Sequence, residues 1–144
     1  MTASRRVWIA VVVAALLAVP AWRVGRSLAM TRGGMKTFIS LLSAANAQDL
    51  DRVGSLCSRR YLLAHRVERA REGGVVGLPR NIHKNFQVWA EGADVWLCPT
   101  DRVGPVYRLV NEEGSWKVDG LVGLLGAGGR VEASAEADPS AEIR

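Results

Sequence analysis

Four residues of this chain have the greatest capacity for chemistry: Arg108, Asp119, His65 and His83. An arginine can bind anions, a carboxylate can act as a general base, and a histidine can exchange protons near neutral pH. We therefore consider Arg108, Asp119 and His65 as candidate catalytic residues. Arg108, Trp116 and His83 are candidate ligand-binding residues.

A structural role is nevertheless favoured for each of them. Arg108 can pack its aliphatic stem while its head reaches the sheet edge or a carboxylate, and an aspartate on a strand is most often solvated. Either histidine would need a carboxylate partner to act as a base, and the sequence does not place one. No metal or cofactor is expected, because the sequence contains no HxxxH, HxH or CxxC motif and no phosphate-binding glycine loop.

Cys57 and Cys98 are the only cysteines in the chain. They would form a disulfide if the folded part is exported to an oxidising compartment. Otherwise they are two small buried hydrophobic residues. The sequence leaves both alternatives open.

The stretch Val103–Leu125 must position Arg108, Trp116 and Asp119. Its two halves, Val106–Asn111 and Ser115–Val122, are rich in strand-forming residues, and Asn111-Glu112-Glu113-Gly114 between them is typical of a type I turn followed by a left-handed glycine. We predict a hairpin in which Asn111 pairs with Ser115. Strand side chains alternate between the two faces of a sheet. One face would then be apolar apart from a single arginine, and it would consist of Val106, Arg108, Val110, Trp116 and Val118.

The N-terminus contains an uncharged segment, Val7–Trp22, of 16 residues between arginines. As a helix it would span about 24 Å, somewhat less than the roughly 30 Å hydrocarbon core of a bilayer. One alternative is a signal peptide cleaved after Val19-Pro20-Ala21. We favour a retained anchor over residues 7–25, preceded by a short basic arm (residues 1–6), because Trp8 and Trp22 would lie at the two interfaces.

The basic residues are concentrated near this segment. Residues 1–36 carry six basic side chains and no acidic one, whereas residues 37–126 carry 11 basic and 10 acidic side chains. The folded part is therefore close to neutral, which argues against binding to nucleic acid.

The orientation in the membrane is a choice between two arguments. More basic residues follow the apolar segment than precede it, which favours a cytoplasmic domain. A short N-terminal arm with paired arginines is typical of exported proteins. We give the second argument more weight and predict a single-pass cell-membrane protein with an extracytoplasmic domain.

The remaining pattern predicts helices followed by strands. Met35, Phe38, Ile39, Leu42 and Ala45 form a helical stripe, which we expect Gly33-Gly34 to separate from the anchor. Asp49 or Asp51 would cap a second helix and Ser58 a third over Arg59–Arg71. Strands follow at Asn85–Ala90 and Asp94–Cys98. The predicted fold is α+β, with three helices packed on a curved four-stranded antiparallel sheet.

Residues 126–144 are rich in small and acidic side chains, and we predict a disordered tail there. The folded domain would therefore cover residues 31–125.

The phrases FISLLSAANAQDLDRVGSLCSRRYL and GPVYRLVNEEGSWKVDGL resemble the nuclear transport factor 2-like superfamily, the cone-shaped α+β fold shared with SnoaL-like cyclases. The resemblance covers about Met35–Leu125. It implies a cone lined by the concave face of the sheet, with Arg108 and Trp116 facing the cavity and a histidine near its mouth. The shared motifs concern packing, and they indicate a fold rather than a function.

The favoured function is a membrane-anchored, non-catalytic binding or assembly module that contacts a protein partner, a small ligand or a second copy of itself. The alternative is a small lyase or isomerase that uses the cone pocket. The enzyme hypothesis gains support if Arg108, Asp119 and a histidine converge in one closed pocket.

Overall fold

The computed structural model describes residues 3–64 and 85–132. These residues form three helices followed by five strands. The strands build one curled antiparallel sheet, with neighbouring strands in chain order from β1 to β5. The elements are α1 (Ala3–Asn46), α2 (Leu50–Leu56), α3 (Arg59–Ala64), β1 (Gln87–Glu91), β2 (Asp94–Cys98), β3 (Gly104–Glu112), β4 (Ser115–Leu125) and β5 (Val131–Glu132).

The α+β class, the long apolar helix at the N-terminus and the curled antiparallel sheet are confirmed. The number of elements differs from the prediction. The apolar segment and the first helix of the domain are one continuous helix of 44 residues, and the described sheet has five strands rather than four.

The predicted break at Gly33-Gly34 is absent, since α1 continues through both residues. The two glycines lie where α1 packs closely on the sheet. A Cβ atom on Gly33 would lie 2.5 Å from the Trp116 ring, and one on Gly34 would lie 2.7 Å from Cγ1 of Val95. The two glycines therefore allow α1 to approach the sheet where a larger residue would collide with it.

Beyond these glycines, α1 supplies the helical side of the main core. Phe38 and Leu42 of the predicted stripe are buried, as is Leu41, whereas Ile39 is exposed. The ring centroids of Phe38 and Tyr107 are 5.0 Å apart. The main core cluster consists of Phe38, Leu41, Leu42, Ala44, Val53, Cys57, Tyr61, Val95, Leu97, Tyr107, Leu109, Val118 and Leu121.

The predicted pairing of the hairpin is wrong by one residue. Glu112 pairs with Ser115, so the turn has only two central residues, Glu113 and Gly114, with φ angles of 53° and 84°. Positive φ at both positions is the type I′ geometry, whose twist matches that of the flanking strands. Asn111 still stabilises the turn, because its Oδ1 accepts a hydrogen bond from the Gly114 N–H at 3.0 Å.

This shift changes which side chains share a face. Trp116 lies opposite Asn111, and Leu109 lies opposite Val118. Trp116, Leu109 and Val118 all pack in the main core. The expected apolar face that combined Arg108 with Trp116 and Val118 is therefore wrong, because a one-residue slip exchanges the two faces of a strand.

A second, smaller cluster contains strand residues that alternate in sequence with those of the main core. Its buried members are Cys98, Val106, Val122 and Leu125, with Trp89, Trp96 and Val131 packed against them. Trp89 and Trp96 are cross-strand partners whose rings stack with centroids 6.4 Å apart.

The first part of the predicted disordered tail, residues 126–132, contains a turn and a short strand. The chain turns after Leu125, where the Gly126 N–H donates to the Arg130 carbonyl at 2.9 Å, and β5 then pairs with the end of β4. The rest of that tail, residues 133–144, lies outside the described residues. So do residues 65–84, which include His65, His83 and the end of the predicted third helix.

The predicted helix caps are confirmed in the described residues. The Asp49 carboxylate accepts a hydrogen bond from the Arg52 N–H at 3.1 Å at the start of α2. Ser58 Oγ accepts one from the Tyr61 N–H at 3.0 Å at the start of α3. Both contacts satisfy donors that the first turn of a helix leaves without a backbone partner.

Candidate functional site

Four charged side chains of alternating sign extend from α3 across the sheet to β2; we call them the charged row. Arg60 Nε lies 3.0 Å from Asp119 Oδ1, and Arg108 Nη2 lies 3.3 Å from Asp119 Oδ2. Arg108 Nε lies 3.4 Å from Asp94 Oδ2. The row therefore joins α3, β4, β3 and β2 through charge pairs.

The local geometry of β4 brings Asp119 to the centre of this row. The pairing runs from Leu109 opposite Val118 to Arg108 opposite Gly120, so Asp119 is an extra residue in β4. Such a bulge redirects a side chain out of the regular alternation. Gly120 has a φ angle of 126°, a conformation that strongly favours glycine.

Ser58 attaches the start of α3 to the same aspartate. Its hydroxyl donates to Asp119 Oδ1 at 2.5 Å, while its backbone N–H donates to the Val118 carbonyl at 2.9 Å. Arg60 adds a hydrogen bond from Nη2 to the Asp119 carbonyl at 2.5 Å. The segment between α2 and α3 is thereby fixed along the edge of β4.

The environment of Asp119 makes it a poor general base. The residue is only 2% exposed, and one of its oxygens already accepts hydrogen bonds from Ser58 and Arg60. Its other oxygen, Oδ2, is buried beside Arg108 without a well-aligned hydrogen bond, and Arg108 Nε is likewise buried without one. Arg60 and Arg108 hold both oxygens of the carboxylate, which hinders a substrate proton from reaching them.

The structure brings together only some of the predicted site residues. Arg108 and Asp119 are in contact, but Trp116 packs in the main core against α1 rather than beside Arg108. The expectation that Arg108 and Trp116 line one cavity is therefore wrong. His65 and His83 lie outside the described residues.

Sequence reasoning missed Arg60, Ser58 as a partner of Asp119, and Asp94. The sequence indicates part of this arrangement. Ser58 is recognisable as a helix cap, and Arg59 and Arg60 directly after it indicate that the helix begins with positive charge. Nothing in the sequence connects that start with Asp119, because the contact spans about 60 residues of chain and depends on the bulge.

Cys57 and Cys98 are both free and buried. Cys57 belongs to the main core and Cys98 to the smaller cluster, so no disulfide joins them. Burial raises the pKa of the Cys57 thiol to about 12, and nearby Lys117 opposes this effect. Because the thiolate is the reactive form, Cys57 is a poor nucleophile at neutral pH.

Residues that could bind a metal ion are also scattered. No group of three or more His, Cys, Asp or Glu side chains converges within residues 3–64 and 85–132.

An open cleft of about 340 Å³ lies between the α2–α3 segment and the tip of the β3–β4 hairpin. It is bordered by charges that largely satisfy one another. The Glu112 carboxylate accepts hydrogen bonds from the Arg59 N–H at 3.1 and 3.2 Å, and Lys117 Nζ donates to the Ser55 carbonyl. The lining residues are Gly54, Ser55, Cys57, Arg59, Leu62, Glu112, Glu113, Ser115 and Lys117.

Comparison with known proteins gives no relative. No family model, no curated protein and no solved structure matches this chain.

Proposed function

We propose that this protein is a membrane-anchored, non-catalytic binding or assembly module with a nuclear transport factor 2-like domain. The observation that carries this proposal is the continuity of α1. One end of this helix exposes Trp8, Val12 and Trp22, and the other end buries Phe38 and Leu41 in the main core. A helix built in this way connects the domain directly to the membrane into which its exposed end inserts.

The exposed half of α1 has the properties of a membrane span. The helix is long and apolar enough to cross a membrane, and none of the described side chains in its most apolar stretch is buried against the rest of the protein. Exposed apolar surface of this extent is unfavourable in water. Insertion into a bilayer would remove it from water without any further partner.

The fold and the charged row support the rest of the proposal. Helices followed by a curled antiparallel sheet are consistent with a nuclear transport factor 2-like domain. In the charged row, Arg108 and Asp119 neutralise each other. A lyase or isomerase that used these residues would first have to break their ion pairs.

The cleft beside the hairpin tip is the contact surface that we propose for a protein partner. It is open, and its lining combines acidic and basic residues with Ser115. Mixed polar surfaces of this kind suit a reversible protein contact better than an apolar ligand.

We propose that the domain lies on the extracytoplasmic side of a single-pass cell-membrane protein. The support is the pair Arg5-Arg6 directly before the uncharged segment, an arrangement typical of exported proteins. Protease digestion of intact cells checks this placement. Cleavage of the domain from outside supports it, and protection until the membrane is opened contradicts it.

Alkaline carbonate extraction of membranes that contain the full chain tests the anchor. We expect the protein to remain in the pellet, with an intact mass that includes residues 1–21. A soluble product that begins at Trp22 would show that the segment is a cleaved signal peptide.

Photo-crosslinking tests the cleft. A photoreactive residue at Ser115, in the cleft, should give one discrete adduct in native membranes, whereas one at Arg102, on an exposed loop away from the cleft, should not. Equal crosslinking from both positions, or none from Ser115, would contradict the cleft as the contact surface.

A further inference from the structure

We propose that three exposed arginines of α1, Arg23, Arg26 and Arg32, bind the headgroups of anionic phospholipids; we call them the basic band. This inference rests on the proposed membrane anchor. It names the lipid class that the anchor meets on the side of the folded domain.

Within residues 3–64 and 85–132, no acidic side chain neutralises the positive charge of the basic band. The chain contains no acidic residue before Asp49. All three arginines are exposed, and none forms an ion pair with the residues that the structure describes. The Arg26 guanidinium lies 5.7 Å from the Trp22 ring centroid, which is a cation–π contact and leaves its charge intact.

The position of the band along α1 matches the depth of lipid headgroups. Trp22 ends the uncharged segment, and Met30 is the first residue of α1 that packs against the main core. The intervening residues 23–29 are all exposed and span about 10 Å. The polar layer on each side of a bilayer is roughly 5–8 Å thick. Arg23 and Arg26 lie about 1.5 and 6 Å beyond Trp22 along the helix, so both are at headgroup depth when Trp22 lies at the membrane interface.

Arg32 extends the band towards the domain. It lies about 15 Å along the helix from Trp22, and helical side chains point back towards the N-terminus, here towards the membrane. Its guanidinium therefore comes within about one Debye length, 8–10 Å, of the headgroup layer.

The chemistry of the guanidinium group selects the ligand. Arginine binds phosphate through paired, charge-assisted hydrogen bonds. Phosphatidylcholine offers a phosphate whose charge its choline group cancels, whereas phosphatidylglycerol offers a net negative charge. Each basic residue close to an anionic surface strengthens the attraction by about fivefold.

The test uses the full chain reconstituted into phosphatidylcholine vesicles that contain spin-labelled phosphatidylglycerol or spin-labelled phosphatidylcholine. Electron spin resonance reports the fraction of each labelled lipid that the protein immobilises. We expect a preference for phosphatidylglycerol of about fivefold or more at low salt, which decreases in 0.5 M NaCl.

Two variants that each remove three positive charges separate the basic band from net charge. R23Q/R26Q/R32Q should lower the preference to about one. R52Q/R102Q/R130Q removes three exposed arginines from the folded domain and should keep the preference of the unaltered protein. An equal decrease in both variants would overturn the inference, because net charge would then suffice.

The failure of the anchor and the failure of the basic band give different results. If the proposed anchor is wrong, the protein does not resist carbonate extraction from the vesicles and immobilises neither lipid. If only the basic band is wrong, the protein is carbonate-resistant and immobilises the two lipids equally. If R23Q/R26Q/R32Q fails to insert, the salt dependence of the unaltered protein decides: a preference that does not respond to salt contradicts the inference.

Discussion

Among the contacts that fasten the helices of this protein to its sheet, two use opposite kinds of side chain. In the first, Phe38 of α1 packs on Tyr107 of β3 within the main core. In the second, Arg60 of α3 pairs with Asp119 of β4, which in turn pairs with Arg108 of β3. The apolar contact depends mainly on buried area and close packing, whereas the charged contact depends on direction and on a complete set of partners.

The difference between the two contacts concerns what happens when one partner is removed. An apolar contact loses area and leaves a cavity, so its loss is graded. A buried charge that loses its partner is left uncompensated, so the loss depends on how much water can reach it. Single substitutions in the two contacts should therefore lower the free energy of unfolding by different amounts.

Phe38→Ala should have the largest effect. Phe38 is fully buried, and truncation of a buried phenylalanine lowers the free energy of unfolding by about 3–5 kcal/mol. Ile39→Ala is the matched control, because Ile39 is exposed on the same helix and its truncation should cost about 0.5 kcal/mol or less. Chemical unfolding of the full chain in a mild non-ionic detergent measures both. Similar losses in the two variants would mean that α1 presents a different side to the sheet.

Asp119→Asn probes the charged contact while keeping the size of the side chain. We expect a loss of about 2–3 kcal/mol, below the range for a fully buried pair, because the side chains of Arg60 and Arg108 are 32% and 26% exposed and can regain water. Asp94→Asn, at the outer end of the row, should cost about 1 kcal/mol or less, because Asp94 is 32% exposed.

A double-mutant cycle with Arg108→Gln and Asp119→Asn would measure their coupling in the same unfolding experiment. A coupling energy near zero would show that the two side chains are neighbours without a significant interaction.

The two contacts also differ in how far the sequence predicts them. The helical stripe contains Phe38 and Leu42 at the expected spacing, and the caps Asp49 and Ser58 follow from local residue types. These features depend on neighbours a few positions away. The sequence therefore predicts most of the apolar contact, apart from the orientation that buries Leu41 and exposes Ile39.

The charged row depends on two features that local rules do not predict. The Asn111-to-Gly114 segment fits a longer turn, and the observed turn requires Glu113 at positive φ, which is uncommon for a residue other than glycine. The bulge at Asp119 then brings the carboxylate to Arg108. Because each feature shifts the pairing by one residue, an error in either separates the members of the row.

Alkaline pH should destabilise the main core, which contains Cys57 as well as Phe38 and Tyr107. The pKa of Cys57 is raised by burial to about 12, from an ordinary value of 9.0. Below pH 9 the thiol is neutral in both the folded and the unfolded chain, so its contribution to stability is fully present. Between pH 9 and about 12 only the unfolded chain releases the proton, so the free energy of unfolding falls by about 1.4 kcal/mol per pH unit.

Burial also raises the pKa of Tyr107, with further contributions from Tyr61 and Cys98, which adds a second decrease above pH 10. Unfolding of the full chain as a function of pH measures the slope. Cys57→Ala should reduce the slope between pH 9 and 10 while leaving the decrease from Tyr107 in place. An unchanged slope would show that the Cys57 thiol is accessible to solvent.

Arg59→Gln should have the smallest effect of these substitutions on the free energy of unfolding. Arg59 and Glu113 form a charge pair at 3.3 Å, yet their side chains are 77% and 86% exposed, so water and salt screen the attraction. We expect a loss of about 0.5 kcal/mol or less, since the Arg59 N–H still donates to Glu112 in the variant. A loss as large as that of Asp119→Asn would show that the hairpin tip, rather than the bulge, is where charge holds the helices to the sheet.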